Sequence, residues 1–189
     1  MPPSDRPSGA FADLAALEAW LGRMGRTVSD EDPGMTELDH GLQCAEELRA
    51  AASDDLELQI AGLLHDVGHG LSHIRDHGWA GADAVRGLLG ERVAELVGLH
   101  IDAKRYLVTT DLAYRAILSP ASIETLALQG GDMRPEETAR FEAFAHWRDA
   151  LRLRRADEAA KTPGRAVPGL EAWLPAIRAL VVEHAGAAA

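Results

Sequence analysis

A histidine and an aspartate stand side by side, His65-Asp66, inside the apolar run 60–67. No other feature limits the possible folds of this chain as severely. Burying either group without a partner costs several kcal/mol, so the fold must bring compensating groups to this pair. A metal ion does so directly, because it accepts neutral imidazole on one side and carboxylate oxygen on the other. Further donors are spread along the chain: His40 upstream, then His69, His77, His100 and Asp157 downstream. The order to be explained is H…HD…H…H…D.

Those donors fall on a pattern of helices. Apolar residues recur with helical spacing almost from end to end, Ala and Leu dominate, and aromatics make up only 5%, which together predict an all-α helical bundle. The spacing predicts helices over 11–24, 36–52 (capped by Thr36), 56–67, 79–89 and 91–102. Gly68 and Gly70 make 69–75 a loop. Ser119-Pro120 starts a helix that stops at Gly130-Gly131, Pro135 opens one long helix to about Lys161, and a Pro/Gly hinge at 164–169 precedes an amphipathic helix over 170–183. Residues 1–10 are expected to be disordered, and 11–189 to form a single domain with its metal-binding core at about 35–161.

Composition removes several classes of function. A net charge of −11 opposes nonspecific attraction to nucleic acid and requires a local basic pocket for any anionic substrate. No apolar run is long enough to span a membrane. The N-terminal segment lacks the basic-then-apolar order of a signal peptide. Cys44, the single cysteine, excludes an internal disulfide and fits a reducing compartment. A cytoplasmic enzyme is the expectation.

On this layout the candidate metal ligands His40, His65, Asp66, His77, His100 and Asp157 lie on or beside five helices. Neighbouring positions on a helix differ in direction by about 100°, so the natural arrangement is a terminal His65 and an Asp66 whose two oxygens bridge two ions. Bundles that collect His and carboxylate groups from facing helices hold iron or manganese pairs in this way. The competing explanation is that His65, His69, His73 and His77, spaced by four, form a solvated stripe. Gly68 and Gly70 break the helix this would need, and Asp66 is left unexplained. His73 is expected on the loop surface, and His146 and His184 outside the site. Cys44 is expected to act as a small core hydrophobe. Lys104 and Arg154 are one turn from presumed ligands, placed to reach an anion, while Arg152 belongs on a solvated face. Ser122, Thr125 and Gln129 share one helix face that meets solvent or lines a pocket.

Beyond the H…HD…H…H…D order, the strings Ala103-Lys104-Arg105-Tyr106-Leu107, Leu128-Gln129-Gly130-Gly131 and Arg154-Arg155-Ala156-Asp157 with Ala160-Lys161 resemble the HD-domain superfamily. Within it they resemble the mixed-valence diiron oxygenases that cleave organophosphonates (the PhnZ-like group). The resemblance spans roughly 35–161. It implies that His40, His65, Asp66 and Asp157 hold one iron, and that Asp66 bridges to a second held by His77 and His100. It implies that His69, Lys104, Ser122, Thr125 and Arg154 bind the phosphonate, with Gln129 in support, and that His69 and Lys104 take part in catalysis.

The implied reaction uses two irons and O2 to cleave the C–P bond of a small-molecule 1-hydroxyalkylphosphonate, giving phosphate and a carboxylic acid. The alternative is a metal-dependent hydrolase of phosphate monoesters or nucleotides. The family member that acts on an aminoethyl substrate has a Tyr ten residues, and a Glu seven residues, before its first ligand His. Here Asp30 and Pro33 stand at those positions, which leaves the substrate's side chain open.

Overall fold

The computed structural model describes residues 10–29 and 34–187. Most of the segment expected to be disordered, and Asp30 and Pro33 in the place of the family's Tyr and Glu, lie outside the described residues. Nine helices and no strand run through the rest: α1 Leu14–Met24, α2 Glu37–Ala51, α3 Leu56–Leu64, α4 His77–Thr110, α5 Leu112–Ala116, α6 Pro120–Leu128, α7 Pro135–Glu142, α8 Trp147–Ala159 and α9 Leu170–Ala187. The protein is an all-α helical bundle, as expected.

Local chemistry sets the helix starts. Thr36 and Asp39 form a reciprocal capping box on α2. Asp13, Asp55, Asp111 and Ser119 each accept a backbone N–H from the first turn of α1, α3, α5 and α6. Gly90 interrupts α4 with φ +85° and ψ 176°, a conformation open to glycine, so the expected break between two helices is a kink within one long element.

Three expectations need correction. The helix carrying the His-Asp pair ends at Leu64 rather than at Val67; residues 65–68 wind into tight turns, with Val67 N–H donating to Leu64 O at 2.9 Å. The helix through His100 continues to Thr110 and is followed by α5, which periodicity did not reveal. The long helix expected from Pro135 to Lys161 is two, α7 and α8. No glycine or proline breaks it; the Glu95 carboxylate of α4 accepts the backbone N–H of His146 at 2.9 Å, and Phe141 and Trp147 turn inward around Tyr106.

The main core gathers Leu17 and Leu21 of α1, Leu48 of α2, Leu58 and Leu63 of α3, Val93 and Leu99 of α4, Leu153 of α8 and Ile177 of α9. A satellite cluster of Leu107, Val108, Tyr114, Leu118 and Leu126 lies under α5 and α6. One glycine lets two backbones meet where the site is built. A Cβ on Gly41 of α2 would lie 2.5 Å from the Leu63 carbonyl of α3. Trp20 Nε1 of α1 donates to Val67 O at 3.0 Å and fastens the turn that carries Asp66.

Candidate metal centre

Four imidazoles are aimed by one device. Each donates its Nδ1–H to a backbone carbonyl: His40 to Ala160 at 3.0 Å, His65 to Gly62 at 2.8 Å, His77 to Ile74 at 2.8 Å and His100 to Val97 at 2.7 Å. A carbonyl only accepts, so Nδ1 carries a proton, and Nε2 is the atom each neutral ring can offer to a metal ion. All four rings are buried, and their Nε2 atoms converge.

They converge as two pairs. His40 and His65 bring Nε2 atoms within 3.2 Å of each other, and His77 and His100 within 3.0 Å. Asp66 stands between the pairs. Its Oδ2 is 3.2 Å from His65 Nε2 and 3.8 Å from His40 Nε2, while its Oδ1 is 3.2 Å from His77 Nε2 and 3.5 Å from His100 Nε2. Asp157 Oδ1 completes the first group at 3.1 Å from His40 and 3.7 Å from His65. All six residues singled out as ligands therefore meet in one place.

Two imidazole lone pairs facing each other at such distances repel unless a cation lies between them. Cis donors of a six-coordinate ion with bonds of about 2.1 Å are about 3 Å apart, so this donor set fits metal ions. The triads His40/His65/Asp66 and Asp66/His69/His77 each bring ligand atoms within 4.8 Å of one another.

The electrostatics agree with a place for positive charge. Burial disfavours a charged His65, but the carboxylates of Asp66 and Asp157 outweigh it and raise its pKa well above the ordinary value. Burial opposes ionisation of Asp66 and Asp157 too. The neighbouring imidazoles, and Arg154 beside Asp157, nevertheless hold both carboxyls well below the usual range. His100 is pushed well below its ordinary value, first by burial and then by His77.

His69 sits at the edge of the site. Its Nδ1 donates to the buried Glu37 carboxylate at 2.9 Å, its Nε2 is 3.8 Å from Asp66 Oδ1, and its ring lies 4.2 Å from that of His77. The chamber is closed on another side by Lys104, Gln129, Arg154 and Lys161, together with Ile101. Lys104 Nζ donates to Thr125 Oγ1 at 2.6 Å. Arg154 is buried and heavily engaged: its Nε donates to Tyr114 Oη at 2.6 Å, and its terminal nitrogens donate to Asp157, Glu158 and, at 3.2 Å, to Ser122 Oγ. Ser122 and Thr125 are buried behind these cations, so the polar face of α6 turns toward the site. An open cavity of about 470 Å³ adjoins the chamber and shares Ile101 and Gln129 with it.

Three participants were given no role by the reading of the sequence. Glu158 pairs with Arg154, Lys161 Nζ reaches Ser122 Oγ at 3.3 Å, and Glu37 holds His69. A signal for two of them was present: Arg154, Asp157, Glu158 and Lys161 fall at i, i+3, i+4 and i+7, one helix face. His73 and Arg152 are exposed as expected. His146 lies at the start of α8 and His184 on α9, apart from the donors. Cys44 is fully buried, and burial pushes its thiol up, so it remains a small neutral core side chain.

Comparison with known proteins agrees with this geometry. A family profile described as HD domain matches residues 38–138. The chain is 37% identical over 153 residues to hydroxymethylphosphonate dioxygenase of Gimesia maris, an alignment covering 75% of this chain and 76% of that protein. It is 35% identical over 141 residues to the glycine-betaine-forming [1-hydroxy-2-(trimethylamino)ethyl]phosphonate dioxygenase of Leisingera caerulea, covering 69% and 72%. It is also 29% identical over 161 residues to uncharacterized protein L432 of Acanthamoeba polyphaga mimivirus, covering 79% and 71%. Helical architecture, donor order and similarity over most of its length agree: this chain belongs to the HD-domain family, in the branch that includes these phosphonate dioxygenases.

Proposed function

We propose that this protein is an iron- and O2-dependent oxygenase that cleaves the C–P bond of a 1-hydroxyalkylphosphonate. One O2 is consumed per substrate, and C1 leaves as a carboxylic acid while phosphorus leaves as phosphate. The observation that carries the reading is the division of Asp66, one oxygen facing His65 and the other His77. Such a carboxylate suits two ions side by side. The similarity to two dioxygenases named for hydroxylated phosphonates supports the choice of O2 and of substrate class.

In this reading His40, His65, Asp66 and Asp157 hold one iron, and Asp66, His77 and His100 the other. The bound pair supplies O2 activation and the redox equivalents for removing hydrogen from C1. The remaining work belongs to the protein. The Nδ1–carbonyl hydrogen bonds fix each imidazole in one tautomer and orientation. Lys104 and Arg154 balance the phosphonate charge, and Lys161 on the same wall adds to a basic pocket within an acidic protein. Ser122, Thr125 and Gln129 supply hydrogen-bonding groups from α6. His69, held by Glu37, contacts the substrate from the opposite edge. Burial excludes bulk water and strengthens each of these interactions.

The test is to load the protein with iron, supply hydroxymethylphosphonate, and follow oxygen uptake and phosphate release together. Stoichiometric uptake and release is the expected result. Phosphate release that continues without oxygen would replace this reading with the hydrolase. A panel of substrates varying only at C2 identifies the side chain.

A further inference from the structure

Among the walls of the chamber, α6 is the least firmly seated. Only three of its side chains are buried, and two of these are the hydroxyl residues Ser122 and Thr125. Leu126 alone joins the satellite cluster. Its other large apolar side chains, Ile123 and Leu128, are 55% and 54% exposed. In contrast α2, α3, α4 and α8 each send several apolar side chains into the main core.

Two polar attachments at the start of α6 meet at one carboxylate, while Thr125 accepts from Lys104 and the Leu128 carbonyl from Arg75, both at 2.6 Å. Glu158 of α8, whose side chain is 5% exposed, accepts the Ser119 backbone N–H at 2.8 Å and the Ser122 hydroxyl at 2.9 Å while also pairing with Arg154. At the other end α6 runs into Gly130 and Gly131, with φ of +111° and +67°. Two consecutive glycines in the left-handed region leave the backbone free to pivot there. The chamber behind α6 holds about 10 Å³, roughly the space of one water and less than a phosphonate group needs. Gln129 lines it, and its Oε1 is buried with no hydrogen-bond partner among the described residues.

For a phosphonate to seat in so small a chamber a wall must give, and the wall with the least apolar burial and a glycine pivot moves most readily. We propose that α6 is a lid that swings out to admit the phosphonate, and that Glu158 is the positioning residue that latches it shut. The proposal rests on the oxygenase reading for the identity of the anion. Closure over the anion brings the Gln129 amide and the α6 hydroxyls against it, so a bound phosphonate holds the lid down.

Hydrogen–deuterium exchange on the iron-loaded full chain tests this, with methylphosphonate as the probe, since it carries the phosphonate but no C1 hydroxyl. Peptides covering 119–131 should exchange about tenfold faster than those of α8, and severalfold more slowly once methylphosphonate is added. Glu158→Gln should speed exchange in α6 alone by about tenfold and raise KM more than it lowers kcat, with iron content unchanged. Exchange in α6 as slow as in α8 and indifferent to methylphosphonate overturns the lid. So does a Glu158→Gln effect spread evenly over the chain. Protection of α6 in a protein that releases no phosphate from hydroxymethylphosphonate upholds the lid and removes the oxygenase; turnover with α6 unchanged removes the lid alone.

Discussion

The carbonyl oxygen of His77 occupies the space a side chain on Gly68 would need: a Cβ there would lie 1.9 Å from it. This close approach presses the turn carrying Asp66 onto the first turn of α4, where His77 begins the helix. Contact between these two backbones is what allows Asp66 Oδ1 to come within 3.2 Å of His77 Nε2.

Gly68→Ala should therefore separate the two halves of the donor set. Overpacking of this kind costs about 1–3 kcal/mol, or a fall in Tm of a few to about 10 °C for a chain of this size. Iron bound at the His77/His100 side should fall with it. Full metal content by elemental analysis, with unchanged melting, would show that the contact is not needed.

Asp66→Ala should remove both metals, because one carboxylate serves both histidine pairs. Asp157→Ala should weaken only the group containing His40 and His65, since Asp157 approaches those two rings. Metal-to-protein ratios after gel filtration decide the matter; two irons retained in Asp66→Ala refutes the bridge.

Lys104→Ala removes a buried ammonium that donates to the Thr125 hydroxyl at 2.6 Å. Charge-assisted hydrogen bonds contribute about 1.5–3 kcal/mol, so KM for the phosphonate should rise on the order of 10- to 100-fold while iron content stays constant. Loss of iron would mean that Lys104 supports the fold of the site instead.

Stability in acid should depend on Asp55. It caps α3 and accepts two hydrogen bonds from Arg92 of α4, at 2.7 and 2.8 Å. These hold its carboxyl below the usual range, against a smaller opposing effect of burial. The stabilisation is complete above the unfolded-chain value of about 3.9 and is lost as pH falls through the lower folded value. Asn keeps the cap but not the charge. The pair is partly solvated and screened, so Asp55→Asn should cost about 1 kcal/mol in urea unfolding at neutral pH. The difference from the parent protein should vanish in strong acid; a difference that persists there would assign it to packing.

How much of this was legible beforehand follows from the range of the interactions involved. Helix starts at Thr36, Asp55 and Ser119 were readable because capping acts within three residues. The six donors were readable because an imidazole or carboxylate in apolar sequence must find compensation, whatever the fold. The break between α7 and α8 was not, because it depends on Glu95, some fifty residues away, accepting the His146 N–H.

The linear order of residues by itself determined an all-helical chain with a shared place for His40, His65, Asp66, His77, His100 and Asp157. Tertiary structure alone decided that Glu158 and Asp157 both engage Arg154 and that Glu37 holds His69, and it set how closely the donors approach on either side of Asp66. Helical periodicity is a property of neighbours three and four apart. The meeting of Nε2 atoms at about 3 Å depends instead on how closely separate helices pack, as at Gly41 and Gly68, where the absence of a side chain lets two backbones touch.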